Sequence, residues 1–269
     1  GTSSPLAIAP YWIWRFITSN AYAQWTYVGS GSTINPGEGF TMKGTSGSDA
    51  TIADAVENVQ NNSGSAQRYD FRGKPNDGNM SVAVSSGNFT LVGNPYPSAI
   101  DLNAYLLDPA NAAVINGQAY FWEQVTVNSH VLNQYQGGYG VYNPGTGIYT
   151  PAAFWSYDGS GNQDSSLGSG TVFQRRFSPI GQGFMVMGTA AGNVTMKNNF
   201  RVFVKEAVAN QSQFARTVDA DNVYNTDSEF FPEIPNVAGT DYTQIRKGTA
   251  PYLRIHAMYN NSGVRPTTI

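Results

Sequence analysis

Met80-Ser81-Val82-Ala83-Val84-Ser85-Ser86-Gly87-Asn88-Phe89-Thr90-Leu91-Val92 decides the class of this protein. Met80, Val82 and Val84 share one face of an extended chain, with Ser81, Ala83 and Ser85 on the other. That period of two is the signature of a half-buried β-strand. Phe89–Val92 follows directly as a second strand, after a Gly-Asn cluster suited to a turn. The same grammar recurs outward in both directions. Towards the start, Trp12, Trp14 and Phe16 alternate with Tyr11, Ile13 and Arg15, and Phe40-Thr41-Met42-Lys43 alternates cleanly. Tyr69 and Phe71 oppose Asp70 and Arg72. Towards the end come Ala119–Gln124, Gly138–Tyr142, Phe184–Met187, Val194–Lys197, Val202–Lys205 and Tyr252–Tyr259. Many short strands bounded by Gly, Pro and Asn predict an all-β chain, a β-sandwich or jelly-roll-like fold.

Two stretches carry helical signals. Asp101 precedes Leu102-Asn103-Ala104-Tyr105-Leu106-Leu107 as a cap, and Pro109 closes the pattern, predicting one short helix. Ile52, Ala55, Val56 and Val59 fall at helical spacing before Asn61-Asn62-Ser63-Gly64 interrupts them.

Composition supports the β reading and narrows the function classes. The 269 residues are 41% hydrophobic, enough for a core, but only 12% charged. Solubility therefore rests on uncharged polar side chains. With 16 Tyr, 14 Phe and 29 Gly, the chain suits twisted strands and tight turns. A net charge of −3 gives no basic footprint for nucleic acid. No run is long and apolar enough to be a membrane-spanning helix. There is no cysteine to staple an extracellular fold. The Gly1-Thr2-Ser3-Ser4-Pro5 start has neither a signal peptide's pattern nor an initiator Met, and reads as the start of a mature or internal piece.

An internal echo links two regions. Pro36–Thr45 (PGEGFTMKGT) aligns with Ile180–Thr189 (IGQGFMVMGT), each copy following an aromatic strand. Two related halves, about 1–90 and 91–205, are expected. Thr41 and Lys43 of the first copy become Met185 and Met187 in the second. The second copy, apolar on both faces, is therefore expected to be the more central. From 206 to 250 the chain turns acidic, with Asp219, Asp221, Asp227, Glu229, Glu233 and Asp241, and Pro232 and Pro235 oppose a sheet centre. It is expected to form an extended connector, and 251–269 the first strand of a further, truncated domain.

Several strings occur together in a fixed order. They are Gly44-Thr45-Ser46-Gly47, Tyr69-Asp70-Phe71-Arg72-Gly73-Lys74-Pro75-Asn76-Asp77-Gly78 and Leu91-Val92-Gly93-Asn94-Pro95-Tyr96-Pro97-Ser98-Ala99-Ile100-Asp101. Tyr120-Phe121-Trp122-Glu123, Tyr135-Gln136-Gly137-Gly138-Tyr139 and Gly181-Gln182-Gly183-Phe184 complete the set. Over residues 11–205 the chain resembles the region preceding the C-terminal sorting domain of large Bacteroidetes surface proteins, especially flavobacterial ones. Those proteins leave by the type IX secretion system, and some are gliding-motility adhesins. The resemblance implies a secreted, non-catalytic cell-surface segment with a structural or adhesive role. It also implies type IX components at the outer membrane as partners.

The residues themselves offer competing chemistries. A Ser-His triad would need His130 or His256, but adjacent Ser129 and His130 point to opposite faces of a strand. A glycoside hydrolase needs two carboxylates ~5–10 Å apart, and Glu38 and Glu123 are the suggestive acids. Asp158, Ser160, Asn162 and Asp164 space oxygens as calcium loops do, but lack the later Gly and acid of such loops. Calcium is the one cofactor the sequence raises; zinc lacks ligands. A carbohydrate-binding module is the chief rival, since Trp12, Trp14, Trp25, Trp122 and Trp155 could stack on sugars, although strand aromatics are ordinarily core. Trp155, beside a Gly-rich loop, is the residue singled out for ligand contact. That rival predicts coplanar, exposed rings.

Overall fold

The computed structural model describes residues 10–42, 74–125, 132–205, 207–213, 254–258 and 264–268. Its strands, in order, are β1 (Trp14–Arg15), β2 (Thr26–Tyr27), β3 (Met80–Val84), β4 (Phe89–Gly93) and β5 (Ala99–Asp101). Helices α1 (Leu102–Leu106) and α2 (Pro109–Ala112) follow, then β6 (Ala119–Gln124), β7 (Gln136–Asn143) and β8 (Ile148–Thr150). Next come β9 (Ala153–Tyr157), β10 (Gln163–Ser169), β11 (Phe177–Ser178), β12 (Gly183–Met187), β13 (Gly192–Met196) and β14 (Arg201–Val202). A hairpin of β15 (Arg254–Met258) and β16 (Val264–Thr268) pairs only with itself.

The fold is all-β and its paired strands are antiparallel. One seven-stranded sheet runs β10-β9-β7-β6-β12-β4, with β8 joined to β7. Against one face lie the β3–β13 pair, the three-stranded β11-β5-β14 sheet and α1, making a sandwich. Val82, Val84, Val194 and Met196 from the small layer meet Val92, Phe121, Phe184 and Val186 from the large one. Leu102, Tyr105 and Leu106 on α1 complete this core. The chain crosses between layers at two stacked corners. β3 turns into β4 and β12 turns into β13, while β4 pairs with β12 and β3 with β13. Gly87 N–H bonds to Gly188 O, and Gly188 N–H to Asn88 O, holding the corners together.

The other face is half covered. Residues 10–42 lie on it and place Phe16 and Trp25 over Leu91, Met185, Phe89 and Tyr120. Their backbone also closes the free edge of β4: Leu91 N–H reaches Phe16 O at 2.7 Å and Gly93 N–H reaches Gly37 O at 2.9 Å. Unpaired edges invite pairing with other chains, and this one is occupied. The opposite edge, β10, is exposed throughout, polar, and broken by two register shifts.

The two copies of the echo flank β4. Glu38 bridges Val92 on one side, and Phe184 pairs with Val92 on the other. The second copy, β12, is the inner one, with Phe184 and Val186 buried on one face and Met185 on the other. The first copy forms only isolated bridges, and Phe40 is 39% exposed. Trp12 also departs from the expected strand, which begins only at Trp14. Residues 10–12 form a 3₁₀ turn, and both indoles are half-buried.

α1 is capped as expected: Asp101 accepts from Asn103 N–H at 2.9 Å. A second helix follows where a stop was expected. Pro109 occupies its first turn, where the missing N–H costs nothing, and Asp108 caps it. Lys197 donates to both Asp108 oxygens, at 2.9 and 2.7 Å, and this pairing holds the Asp108 carboxyl below its ordinary value. A depressed carboxylate contributes stability above its unfolded value near 4, and loses it as pH falls through the folded one. Asp108→Asn is therefore expected to narrow the gap between urea midpoints at pH 7 and pH 3. Asp108→Ala adds loss of the cap, about 1 kcal/mol.

Asn94-Pro95-Tyr96-Pro97 makes the rigid corner after β4. Asn94 Nδ2 donates to Ser98 O at 2.8 Å and Pro179 O at 3.1 Å, and buried Tyr96 donates from its hydroxyl to Gly78 O at 2.7 Å. Residues 207–213 fold back on the body: Phe177 N–H bonds to Gln211 O and Gln213 N–H to Gln174 O. The packed unit thus continues past the boundary expected at 205. The rest of the acidic stretch, the 52–59 segment and the Tyr69–Arg72 strand lie outside the described residues.

Candidate ligand-binding face

The seven-stranded sheet sorts its chemistry by face, because successive side chains in a strand alternate. On β6, Ala119, Phe121 and Glu123 point into the core, while Tyr120, Trp122 and Gln124 point out. Register carries that order sideways: Trp122 lies opposite Tyr139, and Gln124 opposite Gly137. Gly137 in turn lies opposite Trp155, which puts Trp155 and Tyr157 of β9 on the outer face too.

Inward, Glu123 is buried, and its carboxylate is fully engaged. Oε1 accepts from the Tyr149 hydroxyl and from Ala152 N–H at 3.3 Å, and Oε2 from Thr171 N–H at 3.0 Å. Burial first, then the bond to Glu123, raises the Tyr149 hydroxyl well above its ordinary value, while Arg175 pulls it down. Tyr149 therefore stays neutral and donates. The Arg175 guanidinium is buried among the rings of Phe173 (4.3 Å), Phe121 (4.7 Å) and Tyr149 (5.2 Å), and donates to Gln213 O at 2.8 Å. Room for the carboxylate depends on two glycines. A Cβ at Gly140 or Gly170 would run into Glu123. Glu38, the other suggestive acid, sits beside β4 with β12 between it and β6. It bonds Asn35 at 3.0 and 3.2 Å and pairs with Arg15 at 3.4 Å.

Outward, the sheet carries a strip of rings. Residues 10–42 cover Tyr120, and Tyr22 reaches on to the β9–β10 loop, where a Cβ at Gly161 would come within 2.8 Å of it. Beyond Tyr120, Trp122 packs on Tyr139 (5.1 Å, 68° between planes) and on Tyr157 (5.8 Å, 46°). Those angles show rings bracing one another rather than a coplanar platform. Gly137 makes the bracing possible, since a Cβ there would come within 2.8 Å of Trp122 Cζ2. Trp122 Nε1–H donates to Gln124 Oε1 at 2.8 Å, and Tyr157 hydroxyl to Gly137 O at 2.9 Å. Trp155 differs. It is half-buried between Gly137 and Ser166, which face it from the neighbouring strands. Alone among the five tryptophans, its indole has neither a ring contact nor a hydrogen bond among the described residues.

The Asp158–Asp164 loop joins β9 to β10. Asp158 Oδ1 accepts from Ser160 N–H (2.8 Å) and Asn162 N–H (2.9 Å), and Oδ2 from Asn162 Nδ2 (2.8 Å). These donors hold the Asp158 carboxyl below its ordinary value, the Asn162 side chain contributing most. Asp158 thus serves as the acceptor of a tight turn, and a cation would have to displace those N–H groups. Asp164 lies on exposed β10. Among the described residues no three acidic or histidine side chains gather where they could hold a metal. His130 lies outside the described residues, and His256 sits on β15 opposite Pro266.

Sequence reasoning singled out Trp155 but not Tyr139 or Tyr157. Tyr157 was within reach, two residues along the same strand face; Tyr139 required the β7–β9 register. Among the described residues no helix is long and apolar enough to cross a membrane. No curated protein and no solved structure matches the chain. Residues 2–237 match the model of a family described as a domain of unknown function, DUF8693, and this chain belongs to that family.

Proposed function

We propose that this chain is a non-catalytic, cell-surface segment of a large protein exported by the type IX secretion system, with a structural and adhesive role. The observation that carries the reading is the division between the faces of the large sheet. The most suggestive acid, Glu123, is spent inside the core on Tyr149 and two backbone N–H groups. The outer face instead presents a strip of rings, Trp122, Tyr139, Trp155 and Tyr157, on an antiparallel sheet. Rigid frames with exposed aromatics suit contact rather than turnover. The resemblance of residues 11–205 to type IX-exported surface proteins supplies the location.

Protease shaving of intact cells, followed by mass spectrometry of the released peptides, tests this directly. Peptides from this chain released without lysis are expected. Recovery only after lysis would sink the surface reading.

A further inference from the structure

We propose that Trp155, together with the Gln124 amide and the Tyr139 hydroxyl, forms a binding site for a neutral polysaccharide. This deepens the adhesive reading by naming what the aromatic strip takes. Three observations converge on it. First, among the described residues Trp155 is the one tryptophan whose indole meets neither another ring nor a hydrogen-bond acceptor, and it faces the small residues Gly137 and Ser166 on the neighbouring strands. Second, the groups around it are uncharged hydrogen-bonding ones. Gln124 gives its oxygen to Trp122, and among the described residues neither its amide N–H groups nor the hydroxyl of Tyr139, a residue 43% exposed, has a hydrogen-bond partner. Third, no Lys, Arg, Asp or Glu occupies an outward position on β4, β12, β6, β7 or β9.

That combination selects by chemistry. A pyranose has an apolar C–H face that packs on an indole, and a rim of hydroxyls for amide and phenol partners. A polyanion would find no cation here. An extended peptide pairs along a sheet edge, whereas these rings stand on the face. Gln124, Gly137 and Trp155 lie in register across β6, β7 and β9, so the site spans about 10 Å, two strand spacings. Trp122, Tyr139 and Tyr157 are mutually braced, so the sugar stacks on one indole beside a stiff wall, not across a flat platform.

Native affinity electrophoresis of the whole chain tests this, with a soluble β-glucan, α-mannan, xylan and galactan cast separately in the gel. Alginate serves as the charged comparison. At least one neutral polymer is expected to retard the protein and to perturb its tryptophan fluorescence. Trp155→Ala should weaken that retardation about tenfold or more. Trp155→Phe should retain part of it, and Tyr139→Ala should weaken it while leaving the thermal midpoint close to that of the parent. Retardation by none of the four, by alginate alone, or undiminished in Trp155→Ala would overturn the site. A chain shaved from intact cells but indifferent to all four polymers loses this site and keeps its surface assignment. A chain that binds but is recovered only from lysate does the reverse.

Discussion

Glu123→Ala is expected to lower the free energy of unfolding by about 3–5 kcal/mol, measured as a fall in urea midpoint at unchanged slope. The size follows from what is left behind. The Tyr149 hydroxyl and the N–H groups of Ala152 and Thr171 all lose their acceptor inside the core. Each stranded buried donor costs about 1–3 kcal/mol. Glu123→Gln keeps the shape and one oxygen, so it should recover part of the loss. A catalytic acid held for turnover would behave differently, its removal costing activity and sparing stability. An unchanged midpoint in Glu123→Ala would show that the carboxylate does not anchor the core.

Phe184→Ala is the second large effect, about 3–5 kcal/mol, and it is best measured beside Phe40→Ala. The two phenylalanines occupy the same place in the internal echo. Phe184 is 1% exposed and packs edge-on against Tyr105 (5.7 Å) and at a tilt on Phe121 (5.8 Å). Phe40 is 39% exposed and stands outside the sandwich core, so its truncation should cost less than about 1 kcal/mol. Equal losses would mean that residues 36–42 contribute as much to the core as β12 does. The pair thus separates likeness of sequence from likeness of position.

That pair also illustrates what the sequence could carry. The period of two located β3, β6, β7 and β13, because each has one buried face; β4 and β12, buried on both faces, showed as short apolar runs. β10 escaped, since Gln163–Ser169 is exposed along its whole length and therefore has no apolar face to alternate. α2 escaped because Pro109 reads equally as the end of one helix or the first residue of the next. The spacing of Trp12, Trp14 and Phe16 suggested a core strand, but only Phe16 is buried; Trp12 lies in a 3₁₀ turn, Trp14 opens the two-residue β1, and both are half-buried. At the candidate site, Trp155 could be picked from its neighbourhood. Its partners come from β6 and β7, and only register brings them beside it. Glu123 was visible as an unusual acid on an aromatic strand; that it accepts from Tyr149, Ala152 and Thr171 depends on β6, β8 and the segments after β8 and β10 closing together.

The stacked corners carry a consequence for the time course of folding. Ser81 and Thr195 share a hydrogen bond across 114 residues of sequence. Both layers of the sandwich are knit by pairs of this separation, β3 with β13 and β4 with β12. Long-range pairing of this kind slows folding, because a large loop must close before its contacts count. At about 5–20 residues per second on the ribosome, β4 emerges several seconds before its partner β12. During that interval Phe89–Val92, a short apolar strand, has its inner edge open. The nascent chain therefore stays aggregation-prone until residue 196 is made, and a chaperone that shields Phe89–Val92 would protect it through that interval.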